Sequence, residues 1–307
     1  MNAGSNVMTM QPQPIAAAEI PLSRRIYWAV RREFWENRSI YLAPLAAAAM
    51  FLAGFLVTAI HVPEEVRAAA ALDAAKQHDA IAVPYELAGH LMMGTFLLVA
   101  LFYCVETLQR ERRDRSILFW KSLPVSDVIT VGAKASIPLL FLPLVSVAVA
   151  ALLLFIMLLV SCTVLAANGM SVGSYVSELS PGQMAVLLAY HVFTAHVLWG
   201  APIYGWLMLV SAWARRAALL WAFVPPLAIV VMEKLLFNSA HFASYLEWRF
   251  WGGSTEAAST LGTMPMNPMI HLTPLTFLST PGLWVGFAVT AVFLATAVRL
   301  RRDQEPM

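Results

Sequence analysis

Charge is scarce in this chain. Asp, Glu, Lys and Arg make up 12% of its 307 residues, where a typical soluble domain carries roughly 25%. Hydrophobic residues make up 60%, and the mean hydropathy is +0.69. A water-soluble globular domain does not fit these figures; a polytopic membrane protein does. Cysteine is scarce too. Cys104 and Cys162 both fall inside apolar runs, so they offer neither metal-ligand spacing nor a disulfide framework and read as inert thiols in packed helices. No GxxxxGK[ST] phosphate loop occurs, which excludes ATP binding by that route. There is no HExxH pair, and the scattered serines and histidines form no hydrolase motif. Residues 1–20 lack an apolar core of signal-peptide length. The first long apolar run begins near Tyr41, too late for a usual cleaved signal, and residues 1–20 are expected to be a short disordered tail.

Long apolar runs are what the chain has. A helical span needs ~20 residues at 1.5 Å rise. Six runs qualify: Tyr41–Ile60, Leu87–Thr107, Val128–Ala166, Gln183–Trp213, Ala217–Phe237 and Gly282–Leu300. The third exceeds one span, so it tilts, extends beyond the bilayer, or breaks at Pro138 or Pro143. Pro202 and Pro225-Pro226 mark kinks in the fourth and fifth, tolerable where neighbouring helices satisfy the freed carbonyls. Ser180-Pro181-Gly182-Gln183 predicts a helix start with a serine cap and proline at the first position. Thr280-Pro281 predicts the same for the sixth run.

Pro21–Ser39 reads as an amphipathic helix. Ile26, Val30 and Phe34 recur at fourth-residue spacing, while Arg24, Arg31, Arg32 and Arg38 lie on the other flank. Such a helix lies in the interface plane, with its basic face toward an anionic cytoplasmic leaflet. The longest charged interval is Gln109–Asp127. It predicts a loop at the membrane surface with a helical middle, an apolar patch (Ile117, Phe119, Trp120, Leu123) and a stop at Pro124. Two readings of it stand on physics alone: a docking element for a soluble partner, or a basic loop whose aromatics rest on headgroups. If the N-terminus is inside, only Arg67, Lys76, Lys234 and Arg249 of the 20 basic residues fall outside. The positive-inside rule then predicts cytoplasmic termini and a cytoplasmic 109–127 loop.

Three outer loops remain. His61–Glu86 is acidic and alanine-rich, with helix formers at Glu64–Gln77. Ala167–Ser180 is short and polar. Asn238–Thr280 holds Tyr245, Trp248, Phe250 and Trp251, too apolar for an open aqueous loop; it predicts two short segments dipping back into the outer leaflet. Ionisable residues within spans are functional candidates by default. Glu106 and Lys134 are expected to snorkel or to pair with the basic loop. Glu233 and Lys234 point to different faces; they line a substrate path, face outside water or bond the tryptophan-rich loop. His191 and His196, five apart, sit well off one α-helical face and are expected to be separate packing residues rather than a metal pair. They remain possible substrate-path residues.

The segment Glu111-Arg112-Arg113-Asp114-Arg115-Ser116-Ile117-Leu118-Phe119-Trp120-Lys121-Ser122-Leu123-Pro124-Val125-Ser126 resembles the "E…GT…LL…PVS" cytoplasmic stretch of the ABC-2 type permeases, the membrane subunits of ATP-binding-cassette exporters. Glu111 takes the acidic place and Leu123-Pro124-Val125-Ser126 the close; Arg115-Ser116 departs from the Gly-Thr of many members. The resemblance implies an all-α polytopic membrane protein of six transmembrane helices. Residues 21–39 would form an elbow helix and 40–307 the transmembrane domain. That domain would hold a coupling helix in 109–127 and re-entrant outer segments in 238–280. It implies a dimer with a second permease copy, each docked on a separate ATPase subunit through Glu111, Arg112, Arg113, Arg115, Ile117, Phe119, Trp120 and Leu123. No cofactor is expected in this chain, ATP and magnesium belonging to the partner, and no nucleic-acid partner. Export of an amphipathic, peptide, drug or lipid-like substrate across a bacterial inner membrane follows from the same resemblance. A membrane scaffold or sensor and a membrane-embedded enzyme are the competing classes.

Overall fold

A computed structural model describes residues 21–114, 126–250 and 274–303. Among these no strand occurs. Helix α1 (Leu22–Glu36) ends at Asn37, whose φ of −117° and ψ of 71° break the winding. Helix α2 (Ser39–Thr58) passes through a tight 3₁₀ turn into α3 (Val62–Ala69). Helix α4 (Ala74–Arg113) has 40 residues. At 1.5 Å per residue it is about 60 Å long, twice the ~30 Å hydrocarbon core. Then come α5 (Asp127–Ser136) and α6 (Leu142–Ala167), joined without interruption through a wide π-helical turn, Ile137–Phe141, at the prolines. Helix α7 (Val172–Leu179) precedes α8 (Pro181–His191), and a second π-helical segment, Val192–Leu198, leads to α9 (Ala201–Trp213). Helices α10 (Ala218–Phe237), α11 (His241–Phe250), α12 (Pro274–Ser279) and α13 (Pro281–Asp303) complete the described chain.

Five of these stretches are long and apolar enough to cross a membrane: Ser39–Ala69, Lys76–Arg113, Asp127–Ala167, Ala218–Phe237 and Pro281–Asp303. The pair Val172–Leu198 and Ala201–Trp213, bent by 47°, makes a sixth if counted as one span. The bend falls at Trp199-Gly200, just before the expected kink at Pro202. Proline does mark the start of α8 and α13 as expected, but the expected caps do not form. Ser180 is left-handed (φ 44°) and its hydroxyl donates to the Ser177 carbonyl; the Thr280 hydroxyl donates to that of Thr276.

Helix α4 is the shared wall of two apolar cores. In one, its Phe96, Ala100, Cys104 and Leu108 pack with Ile137, Leu142, α9 (Tyr204, Leu207, Met208) and Ala297 of α13. In the other, its Ala82, Tyr85 and Met92 pack with Phe55 of α2, Met157 and Leu165 of α6, and Leu179 of α7. The second core holds a satisfied polar trio: Tyr85 Oη lies 3.0 Å from Ser161 Oγ and 3.2 Å from Tyr175 Oη. Helices α9 and α13 pack backbone to backbone where Gly205 faces Thr290; a Cβ at Gly205 would lie 3.3 Å from Thr290 Cα. Helix α10 buries only Ala218 and Ala222. Proline at 226 frees the carbonyl of Ala222, four residues back, and Trp206 Nε1 of α9 donates to that oxygen at 3.0 Å.

Candidate functional site

The charge distribution predicts sixteen of the basic residues on one side of the membrane, and four described elements bring several of them to one end of the bundle. These are α1, the last turns of α4, the start of α5 and the end of α13. Between them lies a buried ion cluster. Glu33 of α1 and Lys134 of α5 are 1% and 2% exposed, and Lys134 Nζ lies 2.8 Å from Glu33 Oε1. The same ammonium reaches Glu111 Oε1 at 3.2 Å and donates to Thr107 Oγ1 at 3.1 Å. The second Glu33 oxygen accepts from Tyr103 Oη at 2.8 Å and from Asn37 Nδ2 at 3.3 Å. Glu111 is the hub: Arg32 Nη2 donates to Oε1 at 2.6 Å, and Arg301 Nη1 of α13 donates to Oε2. Arg301 Nε also donates to Asp127 Oδ1 at 2.9 Å. Arg32 in turn grips Glu36 at 2.7 Å. Burial works against the Arg32 charge, but Glu36, Glu111 and Glu33 outweigh it and hold its pKa above the ordinary value. Every member of the cluster thus has an opposite charge, which a buried charge needs.

A second clasp joins α4 to α9. Ser211 is fully buried, and its hydroxyl oxygen accepts from the backbone N–H groups of Leu108 and Gln109, each at 3.0 Å. Arg112 Nη2 donates to the carbonyls of Ser211 (2.6 Å) and Ala214 (2.8 Å). These belong to the end of α9, where carbonyls have no partner within the helix.

The expected docking residues therefore divide. Glu111 and Arg112 are buried and bonded inside the chain; Arg113 is exposed beside Asp114 at 3.5 Å. Arg115, Ile117, Phe119, Trp120 and Leu123 lie outside the described residues, as do the expected tail at 1–20 and residues 251–273 of the outer loop. Lys134, expected to snorkel or to pair with the basic loop, does not snorkel: it pairs with Glu111 of the 109–127 segment, and it does so buried, together with Glu33; Glu106 is exposed. Arg32, expected on the outer flank of α1, faces the cluster. Arg31 does stay at the surface side, stacked over Trp28 (5.0 Å) and Trp35 (4.7 Å). Sequence reasoning passed over Glu33, Asp127, Arg301 and Tyr103. For Glu33 a signal existed: it follows Val30 by three and precedes Phe34 by one, which puts a carboxylate on the apolar stripe of α1.

At the opposite end, Glu233 caps α11. Its carboxylate accepts from Ser239 Oγ (2.7 Å), the His241 N–H (2.7 Å) and the Phe242 N–H (2.8 Å). It also borders an apolar groove of about 640 Å³ between α10 and α11, while Lys234 is exposed. Helix α11 folds back against the starts of α9 and α13. Trp199 Nε1 donates to the Trp248 carbonyl at 3.2 Å, and Arg249 stacks 4.4 Å over Trp199 and donates to the Gly282 carbonyl at 3.1 Å. Burial pushes the Arg249 pKa below the ordinary arginine value. His191 and His196 lie in and beside the second π-helical segment, where the Trp199 N–H bonds the Thr194 carbonyl, five residues back. That wider winding brings residues five apart back toward one side, unlike the α-helix assumed from sequence. His191 Nδ1 engages the Leu187 carbonyl (3.0 Å) and the His196 ring tilts against Phe96. Among the described residues, no hydrogen bond or ion pair joins these histidines to Glu233 or Lys234. No group of three His, Cys, Asp or Glu side chains there could hold a metal ion.

Neither a family model, nor a curated protein, nor a solved structure matches the chain.

Proposed function

We propose that the chain is the membrane subunit of an ATP-binding-cassette exporter of the ABC-2 type, working with a separate ATPase subunit and a second permease copy. The observation that carries this reading is the Glu111 hub. It fixes α1, both flanks of the 109–127 loop and the end of α13 to one another, so a force applied to the loop moves all of them together. In this reading α1 is the elbow helix, the basic end is cytoplasmic, and 109–127 is the coupling segment. Phe119 and Trp120 are its anchors, since buried aromatics often dominate interface energies. Arg113 and Arg115 steer the encounter. Glu111 and Arg112 act from inside, as the rigid base that carries motion from the loop to the spans. Helix α11 belongs to the re-entrant outer region, and the cargo is amphipathic, peptide, drug or lipid-like. The membrane is the bacterial inner membrane.

The test is purification of the tagged chain in mild detergent from its native cell, with mass spectrometry of its partners and an ATPase assay. A stoichiometric ATP-binding-cassette subunit with activity is expected. Trp120→Ala should then uncouple ATP hydrolysis from transport while the complex still folds. A chain that emerges alone, and from which crosslinkers on the 109–127 loop capture no ATPase, would return the scaffold and enzyme classes to the front.

A further inference from the structure

At the basic end, the α1–α2 junction and the last turns of α4 leave a groove of about 700 Å³ between them. On the α4 wall, Leu98, Phe102, Glu106, Arg110 and Asp114 follow at every fourth residue and so form one stripe. At 1.5 Å per residue it runs for about 24 Å. It changes character once, apolar through Phe102 and charged from Glu106 onward. Leu98 and Phe102 are 57% and 53% exposed. The facing wall supplies Arg38, exposed at the junction, and Asn37, whose Oδ1 lies 3.5 Å from Arg110 Nη1. The side chains of Arg38 and Glu106 make no hydrogen bond or ion pair among the described residues. The groove's charges thus lie at one end only: Glu36 is held by Arg32, Asp114 lies beside Arg113, and Glu111 and Lys134 belong to the ion cluster, which leaves Arg38, Arg110 and, about one helical turn from Arg110, the Glu106 carboxylate to meet a ligand. From that end an apolar wall leads away toward mid-span.

We propose that this groove holds one molecule of a zwitterionic phospholipid with a primary amine in its headgroup. The phosphodiester lies against Arg38 and Arg110, the ammonium donates to Glu106, and an acyl chain follows Leu98 and Phe102. The charge pattern selects this class. An anionic headgroup without an amine leaves the Glu106 carboxylate facing negative charge, and a cationic amphiphile meets two arginines. A quaternary amine carries no N–H for the carboxylate to accept. The site requires only that the chain span a membrane; it does not depend on the transporter reading. Glu111 and Lys134 form part of the groove's lining, so the bound headgroup abuts the ion cluster.

The purified full-length chain, stripped of lipid in detergent, is offered equal amounts of phosphatidylethanolamine, phosphatidylcholine and phosphatidylglycerol with matched acyl chains. Retained lipid is counted by native mass spectrometry. The expected result is one phosphatidylethanolamine per chain in preference to both others. Loss of charge-assisted bonds in the Arg38→Ala/Arg110→Ala variant should lower retention about tenfold. Glu106→Gln should erase the preference among headgroups while binding persists. These side chains are exposed, and an unchanged unfolding midpoint checks that the variants fold. Equal retention of the three lipids by the unsubstituted chain, or unchanged selectivity in Glu106→Gln, overturns the proposal. The Glu106→Gln arm decides by itself if the arginine variant aggregates.

Discussion

Lys134→Met tests the ion cluster most directly. Methionine matches the length of the lysine stem, so the packing of α5 survives while the charge is lost. Glu111 keeps Arg32 and Arg301. Glu33 keeps the hydrogen bonds of the Tyr103 hydroxyl and the Asn37 amide and the longer-range attraction of Arg32, and no other ion pair to it is seen among the described residues. Removing one partner of a buried ion pair strands the other, at a cost of about 3–5 kcal/mol. Glu33→Gln should cost less, about 1–3 kcal/mol, because the ammonium retains Glu111 and Thr107. In the double variant neither charge of the pair remains. Its cost should therefore fall short of the summed single costs by about 2 kcal/mol, within the usual range for residues in contact.

The assay is unfolding of the purified chain in mixed detergent micelles, with the four proteins of the cycle compared under one protocol. The sign matters more than the size: the second substitution must be better tolerated in the presence of the first. Single costs within about 0.5 kcal/mol, as at ordinary surface positions, with additivity in the double variant would refute the reasoning. Lys134 would then have been solvated, and the cluster would be a surface feature.

Two further outcomes follow from the packing. A Cβ at Gly286 would collide with the Arg249 guanidinium and lie 3.1 Å from Pro202 Cγ. Gly286→Ala should thus expel Arg249 from Trp199 and lower stability by about 1–3 kcal/mol; Arg249→Met in the same chain should restore much of the loss, and an unchanged midpoint in Gly286→Ala would argue against the close approach. Trp206→Phe strands the Ala222 carbonyl freed by Pro226, at about 1–3 kcal/mol. Pro226→Ala returns a backbone donor to α10, so it should rescue Trp206→Phe in the same unfolding assay, and failure to rescue would place the loss elsewhere.

The spans were legible because hydropathy acts over whole runs and tolerates local error. Their ends were not. Helix α4 begins at Ala74 rather than near Leu87, since the alanine-rich stretch before it continues the helix with good formers. The short polar linker at 167–180 contains α7, with Ser171 accepting from the Ser174 N–H at its cap. The π-helical winding at Val192–Leu198 had no visible sequence signature, and assuming 100° per residue put His191 and His196 on different faces. Lys134 shows the same gap in a sharper form. An isolated lysine near a span end reads as a snorkelling residue, and only a fold that brings Glu33 from 101 residues away gives it a buried partner. Pairwise partners at that separation leave no periodicity for a single sequence to display.

The composition of the cluster bears on what it does. A buried ion network is weak evidence for stability, since apolar side chains of similar volume often serve as well or better. What apolar packing does not supply is a unique relative position for four elements. Glu111 accepts from Arg32 of α1 and Arg301 of α13 and meets Lys134 of α5. Each contact has a direction, and sliding any one helix by a residue leaves a buried charge unmatched. Under the proposed function that stiffness has a use. Arg113 lies two residues after the hub, and Asp127 is bonded to Arg301, so the stretch between them is flanked on both sides by residues anchored to the same three-cation knot. A partner pressing on the loop would meet a rigid base rather than two independently moving helix ends.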